Sequence, residues 1–204
     1  MTSCEAFAYP SKKHVRRHGP FGYSDYESFR DWLRDEFCFR CVFCLYREQW
    51  PQSTTGFHID HFVPVSADPT GGCRYENLLY ACSRCNSVKN DKLAVPNPEK
   101  LSFGDCLIVR PDGTIDGRNA NGLLLIQLLK LDDKKIVQAR RIILETLKVL
   151  EQAASPVFID WMRFPDDLPD LSRKHKHPPG NSRSEGIAES WLERKLRDEL
   201  PLIY

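Results

Sequence analysis

Apolar residues first recur at helical spacing at Phe29, Trp32, Leu33 and Phe37, with Glu36 the one polar member of that stripe. Ser24 with Glu27 three residues on reads as a capping box, so a helix is expected over 24–37, its aromatic face turned to a core. Residues 57–65, FHIDHFVPV, alternate like a strand until Pro64, which has no place in a central ladder. The polar stretches 51–56 and 66–73 read as loops. Asn77 precedes a second strand, LLYA, and a short helix is expected from Asn86 to Lys89. Residues 103–117 read as a hairpin turned at Pro111, Asp112 and Gly113. Two helices follow within 119–153. The second is capped at Asp132 or Asp133 and carries Ile136, Ala139, Ile143, Leu147 and Leu150 on one face. After a basic Pro/Gly/Ser stretch at 172–186, a closing charged helix spans about 187–199 and stops at Pro201. No internal repeat is visible.

At 204 residues, 41% hydrophobic and 28% charged, the chain suits one good-sized globular domain or a small domain with a substantial extension. No apolar run approaches the ~18 residues of a membrane helix, and residues 1–20 hold no apolar secretory core, so a cytoplasmic protein without a membrane partner is expected. The net charge of +1 argues neither for nor against nucleic acid. Its distribution is uneven, because Lys12, Lys13, Arg16 and Arg17 face only Glu5 in the first stretch and 171–184 is basic throughout. Such segments serve either as phosphate contacts or as solvated tails.

The cysteines change the picture. Cys41 and Cys44 form one C-x-x-C pair and Cys82 and Cys85 another. Each pair suits a knuckle presenting two thiolates, and two knuckles suit one tetrahedral structural zinc. Pairing Cys38 with Cys41 is formally open, but Cys38 falls near the end of the helical pattern and a knuckle needs a turn. Cys4, Cys73 and Cys106 follow no pattern. The spacer between the knuckles holds His58, Asp60 and His61 in the middle of a strand. Successive strand residues point to opposite faces, so Asp60 and His61 diverge while His58 shares a face with Asp60. An imidazole is a suitable general base near neutral pH, and a carboxylate suits a hard divalent ion.

CVFC, IDHFVP, ENLLYAC and CSRCNSVK, in that order over residues 38–92, resemble the HNH nuclease family, the ββα-metal or His-Me finger nucleases. The resemblance implies an α+β protein, with a zinc-stapled ββα-metal finger embedded in a mostly helical chain. It implies a basic segment at 1–23, the nuclease domain at 24–99, and a hairpin plus helical region at 100–204 for recognition, oligomerisation or partner binding. His61 matches the general base, Asp60 the metal-holding carboxylate, and Asn77 the amide that braces the base-bearing loop. Asn86 stands where many members carry a final His. An amide carbonyl still ligates a hard ion, which tilts the catalytic ion toward Mg²⁺ or Mn²⁺, with Ni²⁺ also admitted. Asn77 and Asn86 also suit plain turn or helix-cap roles, and His58 is a bystander. Arg84, Lys89 and Lys92 match the helix residues that neutralise phosphates, with a solvated helix face as the alternative.

The implied activity is metal-dependent hydrolysis of DNA phosphodiesters, leaving 5′-phosphate and 3′-hydroxyl ends, with RNA also open as substrate. A non-catalytic zinc-stapled nucleic-acid-binding module is the competing reading. The C-terminal hairpin and helices resemble those of standalone HNH proteins in bacterial anti-phage systems, which implies an ATPase or sensor subunit as partner.

Overall fold

A computed structural model describes residues 6–50, 56–174 and 180–204. Cys4, the loop residues 51–55 and the 175–179 part of the basic stretch lie outside the described residues. In chain order, β1 (Pro20–Phe21) leads into a 3-10 turn at Tyr26–Phe29 and α1 (Arg30–Glu36). Then come β2 (Phe57–His61), β3 (Leu78–Cys82) and α2 (Ser83–Lys89). The hairpin β4 (Leu107–Val109) and β5 (Ile115–Gly117) precedes α3 (Ala120–Leu129) and α4 (Lys134–Gln152). The chain continues through α5 (Pro156–Met162), α6 (Leu171–Lys174), β6 (Gly180–Asn181), α7 (Glu185–Ala188) and α8 (Trp191–Leu196). The strands form three antiparallel pairs, β1 with β6, β2 with β3 and β4 with β5. This is an α+β chain in which a small ββα unit sits among helices.

Several elements begin or end where tertiary partners dictate. The first helix is capped not by Ser24 but by Asp25, whose carboxylate accepts from the Glu27 N–H, and Glu27 pairs with Arg30 instead of reaching back. β2 stops at His61, three residues before Pro64, because the Asn77 side chain takes over the backbone of Val63. α2 starts at Ser83 rather than Asn86, so Cys85 lies on the helix itself. Asp133 is the cap of α4, its side chain accepting from the Lys135 N–H. The closing helix is broken in two. Ser190 caps α8, and the next backbone N–H, of Trp191, donates to Asp35 Oδ2 at 2.8 Å, a long-range bond that no local pattern encodes.

One apolar core joins Phe29, Trp32, Leu33 and Phe37 of the first helix to Leu78, Leu79 and Tyr80 of β3 and to Phe103, Leu107, Leu125 and Leu129 beyond the finger. A second gathers Phe7, Leu45 and Trp50 with Ile143 and Leu147 of α4 and Phe158 and Met162 of α5. On the α4 face, Arg140 is buried among them, donating to the carbonyls of Gly113 and Leu131 at 2.7 and 2.8 Å.

Of the N-terminal basic residues, Arg16 and Arg17 are spent on the fold, whereas Lys12 and Lys13 are exposed. Arg16 is 5% exposed and lies over Phe37 and Tyr75, with Nη2 on the Leu78 carbonyl at 2.7 Å and Nε on Glu99 at 2.7 Å. Arg17 pairs with Asp35 and reaches the Glu189 carbonyl. Neither arginine is a solvated tail or a free phosphate contact. The buried end of α1 carries two carboxylates, and both are saturated. Asp35 accepts from His18 Nε2 at 2.8 Å, Arg17 and the Trp191 N–H. Glu36 accepts from the N–H groups of Arg17 and His18 and from the Tyr75 hydroxyl at 3.0 Å, with His14 Nε2 at 3.1 Å. Burial alone would push the Glu36 carboxyl up; these partners hold it at about 2. That explains a glutamate on an otherwise apolar helical stripe.

Candidate metal sites and cleft

The ribbon of β2 and β3 carries a different chemistry at each end. Its register pairs Phe57 with Cys82 at one end and His61 with Leu78 at the other. At the first end the knuckle Cys41–Cys44 closes on a Cys41 N–H to Tyr46 carbonyl bond of 2.8 Å, with Leu45 at a left-handed φ of 61°. The Val42 N–H reaches the Tyr80 carbonyl at 3.0 Å, which ties this knuckle to β3. The second knuckle is the junction where β3 ends at Cys82 and α2 begins, with Cys85 in its first turn.

The Sγ atoms of Cys41, Cys44, Cys82 and Cys85 all lie within 4.8 Å of one another, and Cys44 and Cys82 are 3.7 Å apart. A tetrahedral ion with bonds of ~2.3 Å would space its sulfurs about 3.8 Å apart. Hydrogen bonds from Cys41, Cys44 and Cys85 hold the Cys82 thiol well below its ordinary range. Burial pushes the Cys41 thiol up, and hydrogen bonding to the neighbouring thiols pushes Cys85 up. Soft thiolates in a closed, buried set fit a structural zinc ion. Cys38 stands outside the set, on a left-handed turn at φ 54°.

At the other end lies a cleft of about 470 Å³, lined by Tyr26, Asp60, His61, Ser66, Asn86 and Asp91 among others. His61 Nε2 lies 2.9 Å from the Gly72 carbonyl oxygen. A carbonyl can only accept, so Nε2 carries the proton of the neutral ring and Nδ1 is the basic nitrogen. Tyr26 packs edge-on against the imidazole, ring centroids 4.9 Å apart. His58, one position before Ile59, is exposed on the strand and takes no part in the cleft lining.

Asp60 is 2% exposed. Burial pushes its carboxyl up to about 6 against the opposing pull of Lys89. Lys89 Nζ donates to Asp60 Oδ1 at 3.1 Å and to the His61 carbonyl at 2.7 Å, while Asp60 Oδ2 lies 3.1 Å from the same ammonium without a hydrogen bond of its own. Asn86, one turn before Lys89 on α2, faces the same cleft. The Asp60 carboxylate and the Asn86 amide in this cleft are oxygen donors of the kind that could hold a hard divalent ion.

Asn77 grips the loop that follows His61. Its Oδ1 accepts from the Val63 N–H at 2.8 Å, and its Nδ2 donates to the carbonyls of Val63 at 2.9 Å and Gly71 at 3.2 Å. Its own carbonyl accepts from the Phe62 N–H at 2.8 Å. Gly71 permits this approach, because a Cβ there would stand 3.0 Å from Asn77 Nδ2.

Asp60, His61 and Asn86 therefore meet in one cleft, with Asn77 behind the adjoining loop. The basic residues of α2 and the turn after it do not share one surface. Lys89, expected to meet phosphate, is fully buried and turned onto Asp60. Arg84 caps the end of α3, donating to the Leu129 and Lys130 carbonyls at 3.2 and 2.7 Å. Lys92 donates to the Val88 carbonyl and is partly exposed. Two contributors escaped the sequence reading. The Gly72 carbonyl has no sequence signature, and Tyr26 read as part of the helix start; its one signal is an aromatic side chain left exposed upstream of the buried stripe.

Among the described residues, no helix is long and apolar enough to cross a membrane. A comparison with curated proteins found no match. Residues 41–92, from the first knuckle through the ribbon and α2, are similar to the family model described as HNH endonuclease.

Proposed function

We propose that the protein is a metal-dependent endonuclease that hydrolyses phosphodiester bonds of DNA in the cleft beside α2. The observation that carries this reading is the pairing of a His61 ring committed by Gly72 to a basic Nδ1 with a buried, half-satisfied Asp60 in one cleft. A module that only bound nucleic acid would need neither. His61 Nδ1 takes a proton from the attacking water, and the Gly72 carbonyl steadies the imidazolium that results. Asp60 and the Asn86 side chain would hold a divalent cation, which would supply charge neutralisation for the phosphate. Asn77 keeps the loop after His61 in register, so the base meets its water at a fixed angle. The products are a 5′-phosphate and a 3′-hydroxyl.

Lys92 and the exposed residues of the cleft rim offer contacts to the phosphate backbone, which give affinity without sequence information. Residues 100–204 serve recognition or a partner subunit, such as the ATPase or sensor of an anti-phage system. The support is the apolar pair Ile142 and Val149, seven apart on α4 and 43% and 63% exposed.

The test is cleavage of supercoiled plasmid, single-stranded DNA and RNA by the zinc-loaded protein with Mg²⁺, Mn²⁺ or Ni²⁺. His61→Ala should reduce cleavage of the preferred substrate by at least about a thousandfold while the melting temperature and DNA binding stay close to wild type. Equal cleavage by this variant would refute the mechanism, and cleavage of RNA alone would reassign the substrate.

A further inference from the structure

Lys89 lies behind the cleft lining, against Asp60, and the proposed chemistry has no use for it. It is the last residue of α2 and is fully buried. A buried ammonium is costly unless its donors are matched, and here the match is specific. Nζ lies 3.1 Å from both Asp60 oxygens and 2.7 Å from the His61 carbonyl, with the Phe62 ring 6.0 Å away. The same ammonium therefore binds the candidate metal carboxylate and the backbone of the candidate base. Asn86 precedes it by three residues, so the helix presents the second candidate ligand and the ammonium on one face.

We propose that Lys89 is a resident cation of the metal site: it fixes the pose of Asp60 and ties it to His61, and it must share that carboxylate with the divalent ion. This rests on the metal-dependent reading above and deepens it. Lys89 is a positioning residue, since it acts through Asp60 and His61. Two consequences follow and they oppose each other. Like charge beside the seat weakens divalent-ion binding. The locked geometry speeds turnover once an ion is bound. An ordinary packing role would instead weaken both when removed.

The experiment is titration of zinc-loaded wild type, Lys89→Met, Lys89→Arg and Asp60→Asn with Mn²⁺ by calorimetry and electron paramagnetic resonance, beside plasmid cleavage at saturating Mn²⁺. Lys89→Met should bind Mn²⁺ about tenfold more tightly and cleave at least about tenfold more slowly. Lys89→Arg, which keeps the charge, should bind Mn²⁺ within about threefold of wild type. Equal or weaker Mn²⁺ binding by a folded Lys89→Met overturns the proposal. Should that variant fail to fold, a crystal of wild type soaked in Mn²⁺ decides. The ion on Asp60 Oδ2 with Nζ still on Oδ1 supports the proposal, and Nζ withdrawn from Asp60 overturns it. Wild type that shows no Mn²⁺ binding abolished by Asp60→Asn would remove the metal reading itself, a distinct failure.

Discussion

The two ends of the β2–β3 ribbon, the thiol end and the cleft end, differ in how far their polar groups are satisfied. At the thiol end four sulfurs, three on buried cysteines and one on the partly exposed Cys82, converge on each other, a set suited to one ion. At the cleft end Asp60 keeps one oxygen without a hydrogen bond and His61 keeps one ring nitrogen for chemistry, beside open space. The contrast extends to α1, where Asp35 and Glu36 are as deeply buried as Asp60 yet have every need met. The buried carboxylates of α1 are spent on the fold, whereas Asp60 Oδ2 makes no hydrogen bond and borders open space.

Breaking the thiol end should have the largest effect, because structural zinc binding is folding free energy, ~10 kcal/mol or more in small fingers. Cys82→Ala should lose the bound zinc and the cooperative melt of the finger together, and cleavage with them. Zinc analysis and thermal unfolding check this, and an active, zinc-free variant would show that the two ends are independent. At the cleft end the damage should separate from stability. Asn77→Ala removes three side-chain hydrogen bonds, so it should cost about 2–3 kcal/mol but slow cleavage by about a hundredfold. Urea unfolding beside single-turnover rates tells the two apart.

Acid probes the saturated carboxylates. Glu36 is held at about 2 against an ordinary 4.5, so its contribution is fully present above pH 4.5 and is lost as pH falls from there toward 2. The expected loss is about 3 kcal/mol, read as a falling melting temperature over that window and flattened in Glu36→Gln. The smallest effect belongs to His58. It shares the strand with Asp60 and His61 but lies exposed outside the cleft, and His58→Ala should leave cleavage and stability within about twofold and ~0.5 kcal/mol. A large loss of activity there would redraw the cleft.

Much of the site is written locally. The C-x-x-C pairs at Cys41 and Cys82 mark the four-thiol set by their spacing, whereas the two-residue period of a strand separates Asp60 and His61 and the fold brings both into one cleft. The hairpin at 107–117 and the Asp133 cap are likewise set by a few neighbouring residues. What the local pattern misplaced were charges. Lys89 and Arg84 carry the same label in sequence as a phosphate contact, yet one is buried on Asp60 and the other closes α3. Arg16 and Arg17 look like a basic tail and are clamps on α1 and β3.

The sequence by itself determined the ligand types, their order and the ribbon that spaces them, because these follow from side-chain chemistry and backbone period over a few residues. Only the tertiary structure decided which charge is spent internally, where the closing helix breaks, and that Gly72 orients the His61 ring. Each of those depends on an acceptor brought from a distant part of the chain, and a buried ionic group goes wherever its partner is.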